Sequence, residues 1–292
     1  MIRTLSPLPT RLPRATAGLN LCHENAEALW RERPPLDFLQ VHPEHLLAEV
    51  GGTYRDQLDD LRRAYPITLH GFGLSLGSCA PLDHDYLALV RRLLQEHPEA
   101  VFSDHVSWSS LSHHHFHDLL PLVLSEETLD YMVERVEQVQ EAIGQPLLLE
   151  NISSYTRYRQ STLGEVDFIN ALTARSGAFV LLDLNNLWAN AINFGDDPET
   201  ELLSYRRDSV RGFHLAGCTR EQGDAGDVYI DYHGEAVHEP VWELYRTALR
   251  AFGPWPTLLE WENNVPPLQR TLQEVGRIRS CLDALTAMPS TP

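Results

Sequence analysis

The sequence has little positive charge for its length, and that shortage excludes several kinds of partner. Its 292 residues include 23 lysines and arginines against 41 aspartates and glutamates, which gives a formal net charge of −18. An acidic surface repels the phosphate groups of nucleic acids and of anionic membranes. We therefore expect no nucleic acid and no membrane as partner, whereas a basic peptide or protein is compatible with this charge.

Cysteines and long apolar runs are also scarce. The four cysteines, Cys22, Cys79, Cys218 and Cys281, show no close pairing and no CxxC spacing. Such usage is typical of a reducing compartment, in which buried thiols are the default. No apolar run is long enough to cross a bilayer, and the N-terminal segment MIRTLSPLPTRLPRATAG lacks the apolar core of a signal peptide. We predict a soluble, cytoplasmic protein.

What the sequence does contain is a regular alternation of short apolar runs with amphipathic segments. Eight such strand–helix units in about 270 residues match a (β/α)8 TIM barrel of the α/β class. The predicted strands are 17–22, 36–41, 67–70, 100–106, 146–151, 179–185, 210–217 and 257–262. Because no low-complexity boundary divides the sequence, we predict a single domain over residues 15–288 and an N-terminal extension over residues 1–14.

Local signals predict how some of the segments between the strands begin and end. Thr162 and Glu165 have the spacing of a capping box, which predicts the start of a helix that ends near Gly177. Two polar stretches, 113–117 with four histidines and 217–239, are predicted to be loops.

The fifth predicted strand, PLLLEN, ends on a carboxylate, Glu150. A buried carboxylate must be neutralised, paired or bound to a metal. The same pattern recurs, because nearly every strand end or following loop carries an imidazole or a carboxylate: His42, Glu44, His70, His105, Glu150, Asp183, His214, Asp231, His233 and Glu260. In a TIM barrel these ends share one rim. Singly each residue has an ordinary structural explanation, but together they would be costly without a cation, so we predict a metal centre.

The ligand types narrow the choice of metal to iron, manganese or zinc, because no thiolate is needed. His70, His105 and Glu150 provide two imidazoles and one carboxylate, the set of non-haem iron(II) sites with open positions, and we predict that they form the catalytic site. A second, carboxylate-rich site is predicted to share Glu150 as a bridge, and its members are Glu150, Asp183, His214 and Glu260. A third site is predicted from Asp231, His233 and Asn186.

The order of these motifs resembles that of the multinuclear non-haem iron-dependent oxidative enzymes, the DUF692 family. The matching segments run from about residue 17 to 268 and are VHPEHL, LHGFGLSLGS, FSDHVSWS, HDLLPL, LLLENISSY, LLDLNNLWANAINFG, HLAGC, IDYHGEAV and TLLEWENNVP. The ligand order is also similar to that of the wider xylose isomerase and endonuclease IV superfamily of TIM barrels.

This resemblance implies two or three iron ions and dioxygen as co-substrate. It further implies that the substrate is a ribosomally made precursor peptide with a modifiable cysteine, and that a small leader-binding protein forms a heterodimer with the enzyme. Among the products of the family, excision of the cysteine β-carbon, as in 3-thiaglutamate biosynthesis, is our first expectation.

Two positions depart from the family pattern. Gln40 stands where many relatives have an acid, and Asn186 stands where endonuclease-like barrels have a histidine, which puts occupancy of the third site in question. Two alternatives remain open at this point. One is a divalent-metal sugar isomerase or phosphodiesterase of the same barrel, and the other is a non-catalytic metal-binding scaffold.

Overall fold

Eight parallel strands close into a barrel in which each strand lies beside its predecessor in the chain. The computed structural model describes residues 14–47, 52–111, 114–223 and 226–286, so the predicted extension over residues 1–14 lies outside them except for Arg14. The strands are Ala17–Asn20 (β1), Phe38–Val41 (β2), Ile67–His70 (β3), Phe102–His105 (β4), Trp108–Leu111 (β5), His114–Leu120 (β6), Leu148–Glu150 (β7), Phe179–Asp183 (β8), Val210–Leu215 (β9), Thr219–Gly223 (β10), Gly226–Ile230 (β11) and Thr257–Leu259 (β12). The barrel comprises β1–β4, β7–β9 and β12, which confirms the predicted (β/α)8 fold.

Helices connect the barrel strands and cover the outside of the barrel. They are His23–Glu32 (α1), Glu44–Leu47 (α2), Thr53–Ala64 (α3), His84–Glu96 (α4), Glu126–Ile143 (α5), Glu165–Ser176 (α6), Leu184–Phe194 (α7), Pro198–Leu203 (α8), Glu239–Phe252 (α9) and Leu268–Thr286 (α10). Their ends follow from local chemistry. Asp83 accepts hydrogen bonds from two backbone N–H groups at the start of α4, and Gly144 ends α5 at a φ of 85°.

Three local predictions were wrong. The capping box does not form, because Gly164 precedes α6 without a side-chain cap and Glu165 turns toward a cavity instead. Residues 114–117 of the first predicted loop belong to β6, which pairs with β5, whereas His113 lies outside the described residues. The second predicted loop contains the hairpin β10–β11. The strands of both hairpins are mostly polar and therefore lack the apolar alternation of a half-buried strand. The predicted strand 179–185 ends at Asp183, because helix α7 begins directly at Leu184.

The cysteines and the helices bear on two further expectations. Cys22 and Cys218 are buried free thiols, and burial raises the pKa of each to about 12, so both stay protonated. Cys79 is exposed, which contradicts the expectation of a buried thiol there. Within the residues that the structure describes, every helix is too short or too polar to cross a bilayer.

Candidate metal centre

The barrel places the predicted ligands at its carboxyl end. Four of the predicted ligands are the last residues of their strands: His70, His105, Glu150 and Asp183. His214 is the second-last residue of β9, and Glu260 follows β12. All six are buried. They meet because parallel strands of a barrel end at the same rim, so side chains that are far apart in sequence become neighbours.

The first predicted group is assembled around one carboxylate oxygen. Glu150 Oε2 lies 3.1 Å from His70 Nε2 and 3.3 Å from His105 Nε2, and the two imidazole nitrogens lie 3.3 Å apart. Burial lowers the pKa of His70 and opposes protonation of His105 as well. For His105, hydrogen bonding to Asp104 and the charge of Glu150 outweigh burial and raise the pKa to about 9. Three donor atoms thus converge in the arrangement that a two-histidine, one-carboxylate metal site requires.

The second predicted group uses the other oxygen of the same carboxylate. His214 Nδ1 lies 2.9 Å from Glu150 Oε1 and 3.1 Å from Glu260 Oε1. Donor atoms of Glu150, Asp183, His214 and Glu260 all lie within 4.8 Å of one another. Because Oε2 of Glu150 faces the first group and Oε1 faces the second, its position is that of a bridging ligand.

Gln40 joins two members of the second group from below. Its Nε2 donates a hydrogen bond to Glu260 Oε1 at 2.9 Å, and its Oε1 lies 2.9 Å from His214 Nε2. Since an amide oxygen only accepts, Nε2 of His214 carries a proton, so Nδ1, which faces Glu150 and Glu260, is the nitrogen available to a metal ion. An acid at position 40 could not donate to Glu260 when ionised, so the amide is suited to this contact.

Asp183 carries one oxygen for the fold and one for the site. Its Oδ1 accepts a hydrogen bond from the Asn186 backbone N–H at 2.6 Å and so caps α7, whereas its buried Oδ2 has no partner. Burial, and then the charges of Glu150, Asp231 and Glu260, raise the pKa of Asp183 well above its usual value. A cation among these carboxylates would remove that penalty.

Several other buried ligand atoms in the same place form no well-oriented hydrogen bond, although three of them lie 2.6 to 3.1 Å from an ionisable neighbour. They are Glu150 Oε2, Asn186 Oδ1, His214 Nδ1 and His233 Nε2. Buried polar atoms without partners are rare in folded proteins, and a cluster of them calls for an explanation. The nitrogen and oxygen donors present here fit a hard or borderline metal ion, and both carboxylate-containing groups can hold one.

The third predicted group is less complete. Asp231 Oδ1 and His233 Nε2 lie 2.6 Å apart, and the two residues line the same cavity as Asn186. Asn185 donates a hydrogen bond to Asp231 at 2.9 Å, and Asn186 donates to the Asn151 backbone oxygen at 3.2 Å. Asn186 Oδ1 accepts no hydrogen bond, so this amide oxygen can still bind a metal ion as a weak ligand.

Two predicted rim residues are not drawn into the cluster. Glu44 Oε1 accepts hydrogen bonds from the backbone N–H groups of Phe72 and Gly73 and from the Tyr86 hydroxyl, so it anchors the glycine-rich loop after β3. His42 lies 2.8 Å from the His70 backbone oxygen and 3.5 Å from Glu262. His42 therefore packs beside the cluster and contacts it through the backbone of His70.

Sequence reasoning missed two supporting residues. Ser103 Oγ lies 2.8 Å from His70 Nδ1, and Asp104 lies beside His105 and accepts a hydrogen bond from the Leu74 backbone N–H. The only signal for Ser103 is its pairing with His70 across β3 and β4, which requires the register of the barrel. The open side of the cluster is a cavity of about 250 Å³.

Comparison with known sequences gives a match over most of the chain. The family model described as the RiPP precursor modification enzyme MbnB/TglH/ChrH matches residues 16–283, where RiPP denotes a ribosomally synthesised and post-translationally modified peptide. A UPF0276 protein of Bordetella parapertussis is 39% identical over 269 residues, covering 92% of this chain and 93% of that protein. A UPF0276 protein of Chromobacterium violaceum is 36% identical over 94% of this chain and 96% of that protein.

Solved structures agree on the fold. A xylose isomerase-like TIM-barrel protein from Mycobacterium smegmatis, solved in complex with magnesium, has a TM-score of 0.61 at 16% identity, covering 94% of this chain and 100% of that chain. Endonuclease IV from Thermus thermophilus has a TM-score of 0.59 at 15% identity, covering 93% and 100%. At these identities the similarity concerns the barrel alone.

Proposed function

The chain belongs to the family of RiPP precursor modification enzymes MbnB/TglH/ChrH, and from this premise we propose that it oxidises a cysteine of a precursor peptide with iron and dioxygen. Family membership favours a peptide-modifying enzyme over a sugar isomerase, a phosphodiesterase or a scaffold. The observation that carries the finer proposal is Glu150, whose two oxygens face two separate groups of donors.

In this proposal His70, His105 and Glu150 hold the iron ion that meets the substrate. Glu150, Asp183, His214 and Glu260 hold the second, and Asp231, His233 and Asn186 are the ligands of a third. Bound iron would supply what these side chains lack, namely acidification of a coordinated thiol and exchange of electrons with dioxygen.

Glu262 pairs with two imidazoles at the edge of the metal cavity. The imidazoles of His42 and His233 both approach Glu262, at 3.5 Å and 3.7 Å. Burial opposes ionisation of Glu262, but hydrogen bonding to these two imidazoles outweighs it and lowers the Glu262 pKa well below its usual value. Glu262 is therefore an anion beside the cavity that holds the two imidazoles in place, and its low proton affinity excludes it as the acceptor of a thiol proton.

The substrate and partner follow from the same premise. We propose a precursor peptide with a modifiable cysteine, presented by a small leader-binding protein in a heterodimer. Excision of the cysteine β-carbon remains the product we propose first. The strongly acidic composition, with a net charge of −18, supports a peptide with basic character.

The test is aerobic turnover by the iron-loaded chain together with its partner. The substrate is a cysteine-containing peptide encoded beside the enzyme, and the readouts are oxygen uptake and the peptide mass. We expect a mass change that maps to cysteine, lost in Glu150→Gln and retained in Glu137→Gln, an exposed glutamate on α5. Unchanged peptide without oxygen uptake, in a chain that holds iron, would contradict the proposal. Equal activity with manganese or magnesium in the absence of oxygen would return the isomerase or phosphodiesterase alternative.

A further inference from the structure

A second cavity, of about 390 Å³, lies behind the wall of the metal centre. The segment that follows Glu150 divides the two spaces, because Ser153 and Tyr155 line the metal cavity while Ser154 and Thr156 line the second one. The second cavity is larger than the metal cavity and falls within the size range of sites for small ligands or side chains.

Most of the second cavity is apolar, and its remaining groups are mainly acidic. Hydrophobic side chains from several elements form the walls, among them Leu122, Leu124, Val166, Ile169 and Leu187. Three carboxylates also border it, Glu165, Asp196 and Glu201, against one cation, Arg157.

The single cation is already engaged. Arg157 forms an ion pair with Asp196, and its guanidinium lies 4.0 Å from the ring centre of Phe194. Within the described part of the chain, neither Glu165 nor Glu201 forms an ion pair, so the cavity has an excess of uncompensated carboxylate.

Glu165 is held in position by an amide and leaves one oxygen free. Asn190 Nδ2 donates to Glu165 Oε2 at 3.3 Å and to the Ile152 backbone oxygen at 2.8 Å. Glu165 Oε1 has no hydrogen-bond donor among the described residues. Burial raises the pKa of Glu165 to about 7; the Glu201 charge adds to this, and Asn190 and Arg157 oppose it.

We propose that this cavity binds a long aliphatic side chain ending in a cation, a lysine or arginine of the same peptide whose cysteine enters the metal cavity. This inference rests on the proposed function. The apolar walls fit the methylene stem, and Glu165 with Glu201 fits the charged end. A purely apolar side chain would leave these carboxylates desolvated without a partner, and an acidic one would add repulsion.

The position of the cavity supports a role in positioning the substrate. The extended segment after Glu150 and the start of α7 separate it from the metal centre, since Asn186 lines the metal cavity and Leu187 lines the second one. This short separation lets two side chains of one bound peptide enter the two spaces. Binding energy gained there would hold the cysteine in place without altering any metal ligand.

The test measures binding of single-residue probes to the full, metal-loaded chain by ligand-observed NMR at pH 8. The probes are N-acetyl-lysine methylamide, the arginine equivalent and N-acetyl-norleucine methylamide, which has the same stem without the charge. We expect at least tenfold tighter binding of a cationic probe than of norleucine. We expect that preference to disappear in Glu165→Gln and to weaken in Glu201→Gln, with iron content unchanged and a cooperative thermal transition retained.

A matched control is Glu199→Gln, which removes an exposed charge from the same helix as Glu201 and should keep the preference. Equal binding of norleucine, or a preference that survives in Glu165→Gln, would overturn the inference. The two proposals fail separately. A chain that binds lysine but oxidises no peptide contradicts only the proposed function. A chain that oxidises peptide cysteine without any charge preference contradicts only this inference.

Discussion

Glu150 and Glu165 stand at opposite ends of one segment, and burial drives the pKa of both upward. The outcomes are opposite. Three imidazoles, those of His214, His70 and His105, outweigh burial at Glu150 and lower its pKa well below the usual value. At Glu165 the nearest partner is an amide, and the pKa rises to about 7. The partners of a buried acid therefore decide its charge, and with it the ligand that it can bind. For Glu150 that ligand is a metal ion shared with imidazoles, and for Glu165 we propose an organic cation.

The largest effect is expected at the bridging position. Glu150→Gln removes the charge that both donor groups share, so it should cost more than one iron per chain, as measured by elemental analysis after reconstitution. Glu165→Gln, the same change at the other end of the segment, should keep the full iron content. Loss of one iron only from Glu150→Gln would argue that this carboxylate does not bridge.

The second-largest effect is expected at Gln40, which supports two proposed metal ligands. Gln40→Leu removes the hydrogen bonds to His214 and Glu260, and we expect about a 10- to 100-fold loss of metal affinity in a chelator competition. The matched control is Gln140→Leu, which removes a buried glutamine that bonds only the backbone of Leu147 and Ser176. The control should lower stability while leaving metal affinity unchanged. Equal affinity in both variants would show that Gln40 does not orient the ligands.

At Asp183 we expect the same substitution to change the free energy of unfolding in opposite directions in the metal-free and the metal-loaded protein. In the metal-free protein, Asp183→Asn should raise the free energy of unfolding by about 1–2 kcal/mol, because it removes an acid whose ionisation is opposed first by burial and then by the charges of Glu150, Asp231 and Glu260. In the loaded protein the same substitution should destabilise, because a ligand is lost. Urea denaturation with and without chelator measures both. Asp83→Asn, at the equivalent cap of α4, should show no such reversal.

The last prediction is a pH dependence of the free energy of unfolding that is caused by Glu165. Its pKa in the folded state, about 7, lies above that of the unfolded chain, so the folded protein retains a proton that the unfolded chain releases. The stability from this group is therefore present at low pH and is lost as the pH rises toward and through 7. Between pH 5.5 and 8 we expect the wild type to lose about 1–2 kcal/mol relative to Glu165→Gln in urea denaturation. Parallel curves would show that Glu165 is charged throughout.

The sequence was sufficient to predict the barrel and the converging rim, because strand length, helical spacing and the position of each ligand after an apolar run are local properties. It could not predict which rim residues turn inward. Glu44 has the same sequence context as the proposed ligands, yet it accepts hydrogen bonds from the backbone of the next loop. Ser103 and Gln40 support ligands that lie on other strands, so their roles depend on the register of the closed barrel.

Glu165 illustrates the same limit in another way. Its spacing from Thr162 matches a helix cap, a local pattern, and the structure uses it for a long-range contact with Asn190 on α7 instead. The local sequence pattern predicts that Glu165 has a partner three residues away, whereas in the fold its hydrogen-bond partner lies twenty-five residues away.

Successive side chains of the segment after Glu150 point to opposite sides, as in a strand, although the segment belongs to no sheet. The lining of the two cavities therefore depends on whether the number of residues in this segment is even or odd. Even and odd positions face different cavities from Ile152 to Thr156. Inserting one residue after Asn151 would exchange the lining of both cavities at once, whereas inserting two would restore it. Natural variation in this segment should therefore be tolerated in steps of two residues, and length changes of one should be rare among active relatives.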